Sequence, residues 1–155
     1  MGNNYVNFFA TALKDNLLEM AQLNCDIGEP QPQAQTFISR GMAVIFGITG
    51  KRPGRIIIDT SKTTAIKLSQ IINGEEELNE EEVMDTMAEL GNIISGHTIT
   101  HANNANKGLN LMLTAPGIFC GEDICITSPK IQSEIINAAT PLGEIVVSIG
   151  FEGGR

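Results

Sequence analysis

Aromatic residues are scarce in this chain, which has six Phe, one Tyr and no Trp among its 155 residues. Because 42% of the residues are apolar all the same, the core has to be built from Ile, Leu, Val, Ala and Met. Positive charge is scarce as well, since ten Lys and Arg face eighteen Asp and Glu, for a formal net charge of −8. An acidic surface repels nucleic acid and anionic lipid, so we expect neither as a partner.

Cysteine pairs and long apolar runs are also missing. Cys25, Cys120 and Cys125 are odd in number and form no C-x-x-C pair, which favours reduced thiols in a reducing compartment. No window approaches the roughly 18 apolar residues of a membrane span, and the first residues lack the basic start and apolar run of a signal peptide. We therefore expect a cytoplasmic protein without membrane insertion, and the length suits a single domain over residues 1–155.

Apolar periodicity predicts three helices, at about residues 4–23, 61–72 and 79–104. Alternating or β-branched runs between turn residues predict the strands 34–40, 42–47, 55–59, 109–114, 118–120, 123–127, 131–138 and 144–151. The order is helix, hairpin, two helices and then a run of strands. It predicts an α+β fold, sometimes classed as α/β, in which long helices pack on a mostly antiparallel sheet.

The longest predicted helix has two chemically distinct faces. Asn79, with Glu82 three residues later, forms a capping-box pattern at its start. One face is apolar and small, and the other carries Asp85, Glu89 and Asn92 one turn apart, followed by Gly96. Ile93 and Ile99 are expected to flank this polar face. An exposed polar stripe edged by isoleucines is typical of a surface on which another protein docks.

Other chemistry is poorly supported. His97 and His101 are four residues apart, but no Glu follows His97 and no third ligand is evident, so we expect histidines at the edge of the core and no metal site. The serines lack a G-x-S-x-G context, and the glycines match neither a P-loop nor a dinucleotide fingerprint. Glu-x-x-Asn also occurs at residues 76–79 and 134–137, and the plain alternative for residues 89–92 is an ordinary solvated helix face.

Asp85, Glu89 and Asn92, with Pro116 after 23 intervening residues, give a pattern that resembles the CheC, CheX and FliY family of chemotaxis phosphatases. The family signature is Asp or Ser, three residues, Glu, two residues, Asn, and then about 22 residues to Pro. The likeness extends over most of the chain and is closest to CheX, which carries one such site. The helix at 61–72 has Ala65 and Leu68 at the spacing where CheC-like proteins carry a second Glu and Asn.

The resemblance implies a CheC-like fold and hydrolysis of the aspartyl phosphate on a CheY-type response regulator. Asn92 would orient the attacking water and Glu89 would dock the regulator. Asp85, Ile93, Gly96, Ile99 and Pro116 would complete the docking surface. The chain would need no cofactor of its own, because the catalytic Mg²⁺ belongs to the regulator, and CheX-type members work as homodimers. The alternative is a non-catalytic module that binds a regulator or its own copies, like the middle domain of the flagellar switch protein FliM.

Overall fold

The computed structural model describes residues 2–33, 36–127 and 130–153. Helix α1 spans Gly2–Ala21. It is followed by the short strands β1 (Asp26–Ile27), β2 (Gln31–Gln33) and β3 (Thr36–Ile38), and then by the hairpin of β4 (Gly41–Thr49) and β5 (Gly54–Ser61). Helices α2 (Lys62–Asn73) and α3 (Glu80–Ala105) come next. The remaining strands are β6 (Met112–Leu113), β7 (Gly117–Cys120), β8 (Cys125–Thr127), β9 (Ile131–Thr140) and β10 (Gly143–Glu152).

Eight of these strands form one sheet, in which β1, β9, β10, β5, β4 and β6 are neighbours in that order, β2 also pairs with β9 and β7 with β4. Each registered pairing among the described residues is antiparallel. Strands β3 and β8 form a separate two-stranded ribbon. The predicted α+β architecture with helices on an antiparallel sheet is therefore confirmed.

The central hairpin shows how period-two alternation divides the core. In β4 the side chains of Met42, Val44 and Phe46 face the helices and join the main core cluster. Ala43 on the same strand faces the other way and packs with Phe37 of the β3–β8 ribbon in a second, smaller cluster. The sheet is thus covered on both faces, and the three helices lie on one of them.

Local signals place the ends of the helices. Ser61 caps α2 by accepting a hydrogen bond from the Thr64 amide, and Gly74 ends that helix in the left-handed conformation, with φ of 66°. The capping box predicted for α3 is present, since Asn79 and Glu82 accept hydrogen bonds from each other's backbone N–H groups. Helix α3 ends at Ala105, one residue beyond the predicted end at residue 104.

Several strand predictions needed correction. The strand expected at 109–114 shortens to Met112–Leu113. Of the strand expected at 34–40, only Thr36–Ile38 is a strand, and residues 34 and 35 lie outside the described residues. The strands β1 and β2 were not predicted, because segments of two or three residues are too short to show a periodicity. Both pair with β9. No helix in the described part of the chain is long and apolar enough to cross a membrane.

One carboxyl group is fully buried on the sheet face away from the helices. Asp59 in β5 has no exposed surface and accepts hydrogen bonds from Ser39 Oγ (2.7 Å) and the Arg40 amide (2.8 Å). Burial raises the pKa of Asp59 above its ordinary value, although both hydrogen bonds act to lower it. Asp59 therefore anchors the turn before β4, and its ionisation costs folding free energy.

Replacement of Asp59 by Asn tests this cost. Because the pKa of Asp59 is higher in the folded than in the unfolded chain, its contribution to stability is complete below about pH 4 and is lost as pH rises through the folded pKa. We expect the urea midpoint of Asp59→Asn, relative to wild type, to increase from pH 4 to pH 7. If the difference between the urea midpoints of Asp59→Asn and wild type stays constant over this range, burial of the Asp59 carboxyl group does not control the pH dependence of stability.

Candidate active site

The polar face of α3 is exposed as predicted. Asp85, Glu89 and Asn92 are all exposed, while the opposite side of the helix is buried against α1 and the sheet. Among the described residues, none of these three side chains has a hydrogen-bond or ion-pair partner; the two ion pairs found there are Arg40–Glu144 and Lys62–Glu80. The carboxylates and the amide are therefore open to a partner molecule.

The rotation of α3 about its axis decides which residues are exposed. Gly91 lies so close to the sheet that an added Cβ would be 3.1 Å from Cε2 of Phe46 and 3.3 Å from Cδ1 of Ile58. Leu90 and Ile94 are buried beside it. Because Gly91 points at the sheet, Glu89 and Asn92, two residues before and one residue after it, are held on the outward side.

Gly96 differs from Gly91 although both are in the same helix. It follows Asn92 by one turn, and an added Cβ would meet no atom within 4 Å. Neither the packing nor the backbone of the free chain requires glycine here. Glycine in a helix costs about 0.5–1 kcal/mol relative to alanine, so its presence beside Asn92 suits the close approach of another molecule.

Ile99 is not on the exposed surface, and the expectation that it flanks the polar stripe is wrong. Its side chain is only 6% exposed. The chain after α3 folds back along this side, where Asn103 donates to the Leu111 carbonyl (3.0 Å) and accepts from the Leu111 amide (2.9 Å). Ile99 and Leu111 consequently belong to the main core, whereas Ile93 is half-buried beside Glu89.

Pro116 lies in the exposed segment between β6 and β7. The structure confirms that a strand follows this proline, since β7 begins at Gly117 and pairs with β4. The docking role that the resemblance implies for Pro116 stays a prediction.

The two histidines contact α1 separately. Asn16 is buried, and its Nδ2 donates to the Ala12 carbonyl (2.7 Å), which fixes the orientation of its amide. The same nitrogen is 3.0 Å from Nδ1 of His97, which positions the imidazole ring against α1. His101 stacks on Phe8 with ring centroids 5.8 Å apart. In the described ranges no three His, Cys, Asp or Glu side chains are grouped as metal ligands.

Sequence reasoning missed one feature of the site. A shallow depression of about 330 Å³ lies beside Glu89, where the ends of α1 and α2 meet α3. Its lining residues are Met20, Ile72, Asn73, Asp85, Thr86 and Glu89. No sequence pattern could place it, because it exists only where three helices meet.

The sequence of the chain is similar to known chemotaxis proteins. A family model described as chemotaxis phosphatase CheX matches residues 42–139. The chain is 25% identical, over 125 residues and 79% of each protein, to a Thermotoga maritima protein named CheY-P phosphatase CheX.

Solved structures show the same fold. A chemotaxis protein CheX from Desulfovibrio desulfuricans has a TM-score of 0.86 at 23% identity, over 96% of this chain and 99% of that one. The CheX of a Borrelia burgdorferi CheX–CheY–BeF₃–Mg²⁺ complex has a TM-score of 0.83 at 29% identity, over 96% and 97% of the two chains. The fold is therefore shared along nearly the whole chain.

The two glycines of α3 give a matched pair of stability tests. Gly91→Ala should be less stable than Gly96→Ala by about 1–3 kcal/mol, because both variants gain the helix propensity of alanine but only the methyl group at position 91 crowds Phe46 and Ile58. Gly96→Ala should raise the free energy of unfolding by up to about 1 kcal/mol, because the space is open and alanine favours the helix. Urea unfolding of both variants measures this. A loss of stability in Gly96→Ala would mean that the free fold itself needs this glycine.

Proposed function

The chain belongs to the CheX family of chemotaxis phosphatases, and on that basis we propose that it hydrolyses the aspartyl phosphate of a phosphorylated CheY-type response regulator. The observation that carries the proposal is the exposed pair Glu89 and Asn92, one turn apart on a rigid helix and without partners among the described residues. The Thermotoga maritima relative named CheY-P phosphatase and the Borrelia burgdorferi CheX–CheY complex support the same substrate.

Hydrolysis of an aspartyl phosphate needs few catalytic groups. An acyl phosphate is already activated, so hydrolysis needs a water molecule held in line with the bond between phosphorus and the aspartate oxygen, and shielding of the phosphoryl charge. Water adds to phosphorus, that bond breaks, and inorganic phosphate and the free carboxylate leave. The Asn92 amide has no useful proton affinity, but its oxygen accepts from a water and its nitrogen donates to an oxygen. We assign Asn92 the role of orienting the water.

The residues around Asn92 would bind the response regulator. The Glu89 carboxylate would pair with a lysine that lines the regulator's acidic phosphorylation pocket, and Asp85 would extend this polar contact. Half-buried Ile93 would add apolar area, and open Gly96 would let the regulator's backbone approach. Ile99 is excluded from this surface by its burial. The Mg²⁺ of the reaction would be held by the regulator, as the Mg²⁺ in the Borrelia burgdorferi complex suggests.

Two further parts of the proposal rest on the family alone. The substrate is a cytoplasmic signalling protein, so the proposal carries a cytoplasmic location with it. The homodimer implied by the resemblance to CheX stays a prediction.

The rival function is a binding module without activity, like the middle domain of FliM. The two functions differ in one observable, because a binder protects or ignores the phosphorylated regulator whereas a phosphatase accelerates its decay. The outward amide of Asn92 favours the phosphatase, since a pure binder has no need of a water-orienting group at the centre of the polar face.

Replacement of Asn92 tests the mechanism. Asn92→Ala should keep binding of the regulator nearly normal and lose most of the rate enhancement, because displacement of the water by even about 1 Å costs on the order of 100-fold. Asn92→Asp is the sharper variant, since it keeps the size of the side chain but offers a base. The carboxylate should repel the phosphoryl oxygens and leave the variant impaired. Both rates are measured as phosphate release from the phosphorylated regulator.

Two results would contradict this mechanism. Activity of Asn92→Asp at or above wild type would indicate general-base catalysis in place of orientation. Equal activity of wild type and Asn92→Ala would remove Asn92 from the site altogether.

Replacement of Glu89 tests docking. Glu89→Ala should weaken association with the regulator and reduce its salt dependence, while stability stays within about 0.5 kcal/mol because the residue is exposed. Glu81→Ala, an exposed acid two turns earlier on α3, removes the same charge away from Asn92 and serves as the control. If both variants bind like wild type, Glu89 has no part in docking.

A further inference from the structure

The depression beside Glu89 has no role of its own in the proposed function, although Asp85 and Glu89 of its lining do. It opens where Met20 near the end of α1 and Ile72 near the end of α2 approach Asp85, Thr86 and Glu89 of α3. At about 330 Å³ it lies at the lower end of the range for small-molecule sites, and it is shallow, so it suits one protruding side chain better than a cofactor.

Its apolar lining is incompletely buried in the free chain. Phe9, Leu13 and Leu17 form the stripe of α1 that faces the core, and each is fully buried. Met20 continues this stripe three residues later but is only half-buried. Ile72 is likewise half-buried, although Leu68 one turn earlier in α2 is fully buried. An aliphatic chain laid on Met20 and Ile72 would bury the surface that the fold leaves exposed.

The polar side chains that line the depression have no free hydrogen-bond donor, only free acceptors. Asn73 uses its Nδ2 hydrogens on the Ser69 carbonyl (2.8 Å) and on Thr86 Oγ1 (2.7 Å). Thr86 in turn donates its hydroxyl hydrogen to the Glu82 carbonyl (2.8 Å). A carbonyl can only accept, so the Asn73 amide cannot be turned round. The groups that stay available are the Asn73 carbonyl oxygen and the carboxylates of Asp85 and Glu89, none of which donates.

The two carboxylates also repel each other. Asp85 and Glu89 are four residues apart on a helix, a spacing at which like charges destabilise. Neither has an ion-pair partner within the described part of the chain. In the proposed docked state Glu89 pairs with the lysine of the regulator's phosphorylation pocket, which leaves Asp85 without a cation. Apolar walls topped by acceptors match the aliphatic stem and charged head of a second basic side chain.

We propose that the depression binds one Lys or Arg side chain of the response regulator, with its stem on Met20 and Ile72 and its charged group at Asp85. The proposal rests on the proposed function, because the partner is the regulator docked on Glu89 and Asn92. It adds a second contact outside the reacting centre. The basic residue is a determinant of which regulators are recognised, and it plays no part in the hydrolysis step.

A pair of variants tests the proposed contact between Asp85 and the charged group of the basic side chain. Binding is titrated with a CheY-type regulator activated by beryllofluoride and Mg²⁺, so that affinity is measured without hydrolysis. Asp85→Asn should weaken binding about five- to tenfold and reduce its salt dependence. Glu81→Gln removes the same charge one turn earlier, outside the depression, and should stay within about twofold of wild type. Equal effects of the two variants would overturn the proposal.

A second pair tests the apolar wall. Met20→Gln should weaken binding several-fold, whereas Leu18→Gln, at an exposed position on the same helix outside the depression, should not. Thermal melting of both variants checks that each is folded. With phosphorylated regulator, Met20→Gln and Asp85→Asn should raise KM and leave kcat close to wild type, unlike Asn92→Ala.

Substitutions in the regulator complete the test. Each exposed Lys and Arg of the regulator is replaced by Met in turn, and each variant is titrated with wild type and with Asp85→Asn. One replacement should weaken binding to wild type and abolish the difference between the two proteins. If no replacement does so, the depression does not hold a basic side chain. If the wild-type chain binds the regulator but does not hydrolyse its phosphate, the phosphatase proposal is refuted and the subsite can still be present. If the chain hydrolyses the phosphate but every regulator substitution adds independently to the effect of Asp85→Asn, the subsite alone is refuted.

Discussion

Contact between Gly91 of α3 and the side chains of Phe46 and Ile58 is the constraint on which the functional surface depends. An added Cβ at this position would lie 3.1 Å from Phe46 and 3.3 Å from Ile58, so a larger residue would crowd the side chains between the helix and the central strands. With Gly91 facing the sheet, Glu89 and Asn92 lie on the outward side of α3. The capping box of Asn79 and Glu82 fixes where the helix begins, and so fixes the site along the helix axis as well.

The surface built on this frame is preorganised and leaves its functional groups unused. Buried apolar side chains hold α1 and α2 against α3, and the Asn73–Thr86 hydrogen bond ties the end of α2 to the turn that precedes Glu89. Rigid positioning is what hydrolysis of an activated acyl phosphate requires, since no proton has to be moved by a tuned side chain. In the proposed function, the protein would contribute an amide and a docking surface, and the regulator would contribute the phosphoryl group.

Local patterns made the helices, the central hairpin and the exposure of Glu89 and Asn92 predictable from the sequence. Ser61, Asn79 and the Asn73–Gly74 pair act on their own neighbours, so their effects could be read in order along the chain. The burial of Ile99 could not, because it depends on Asn103 holding the distant Leu111. The depression at Met20 arises from the meeting of three helices, and no periodicity within one helix encodes that.

Multiple-turnover phosphate release tests the central claim most directly. A phosphorylated CheY-type regulator in large molar excess is mixed with the wild-type chain, and released phosphate is followed over time. The account predicts that each chain releases many phosphates at a rate proportional to its concentration, and that Asn92→Ala loses this acceleration while it still binds the regulator. Decay at the regulator's own rate, whatever the concentration of wild-type chain, would contradict it.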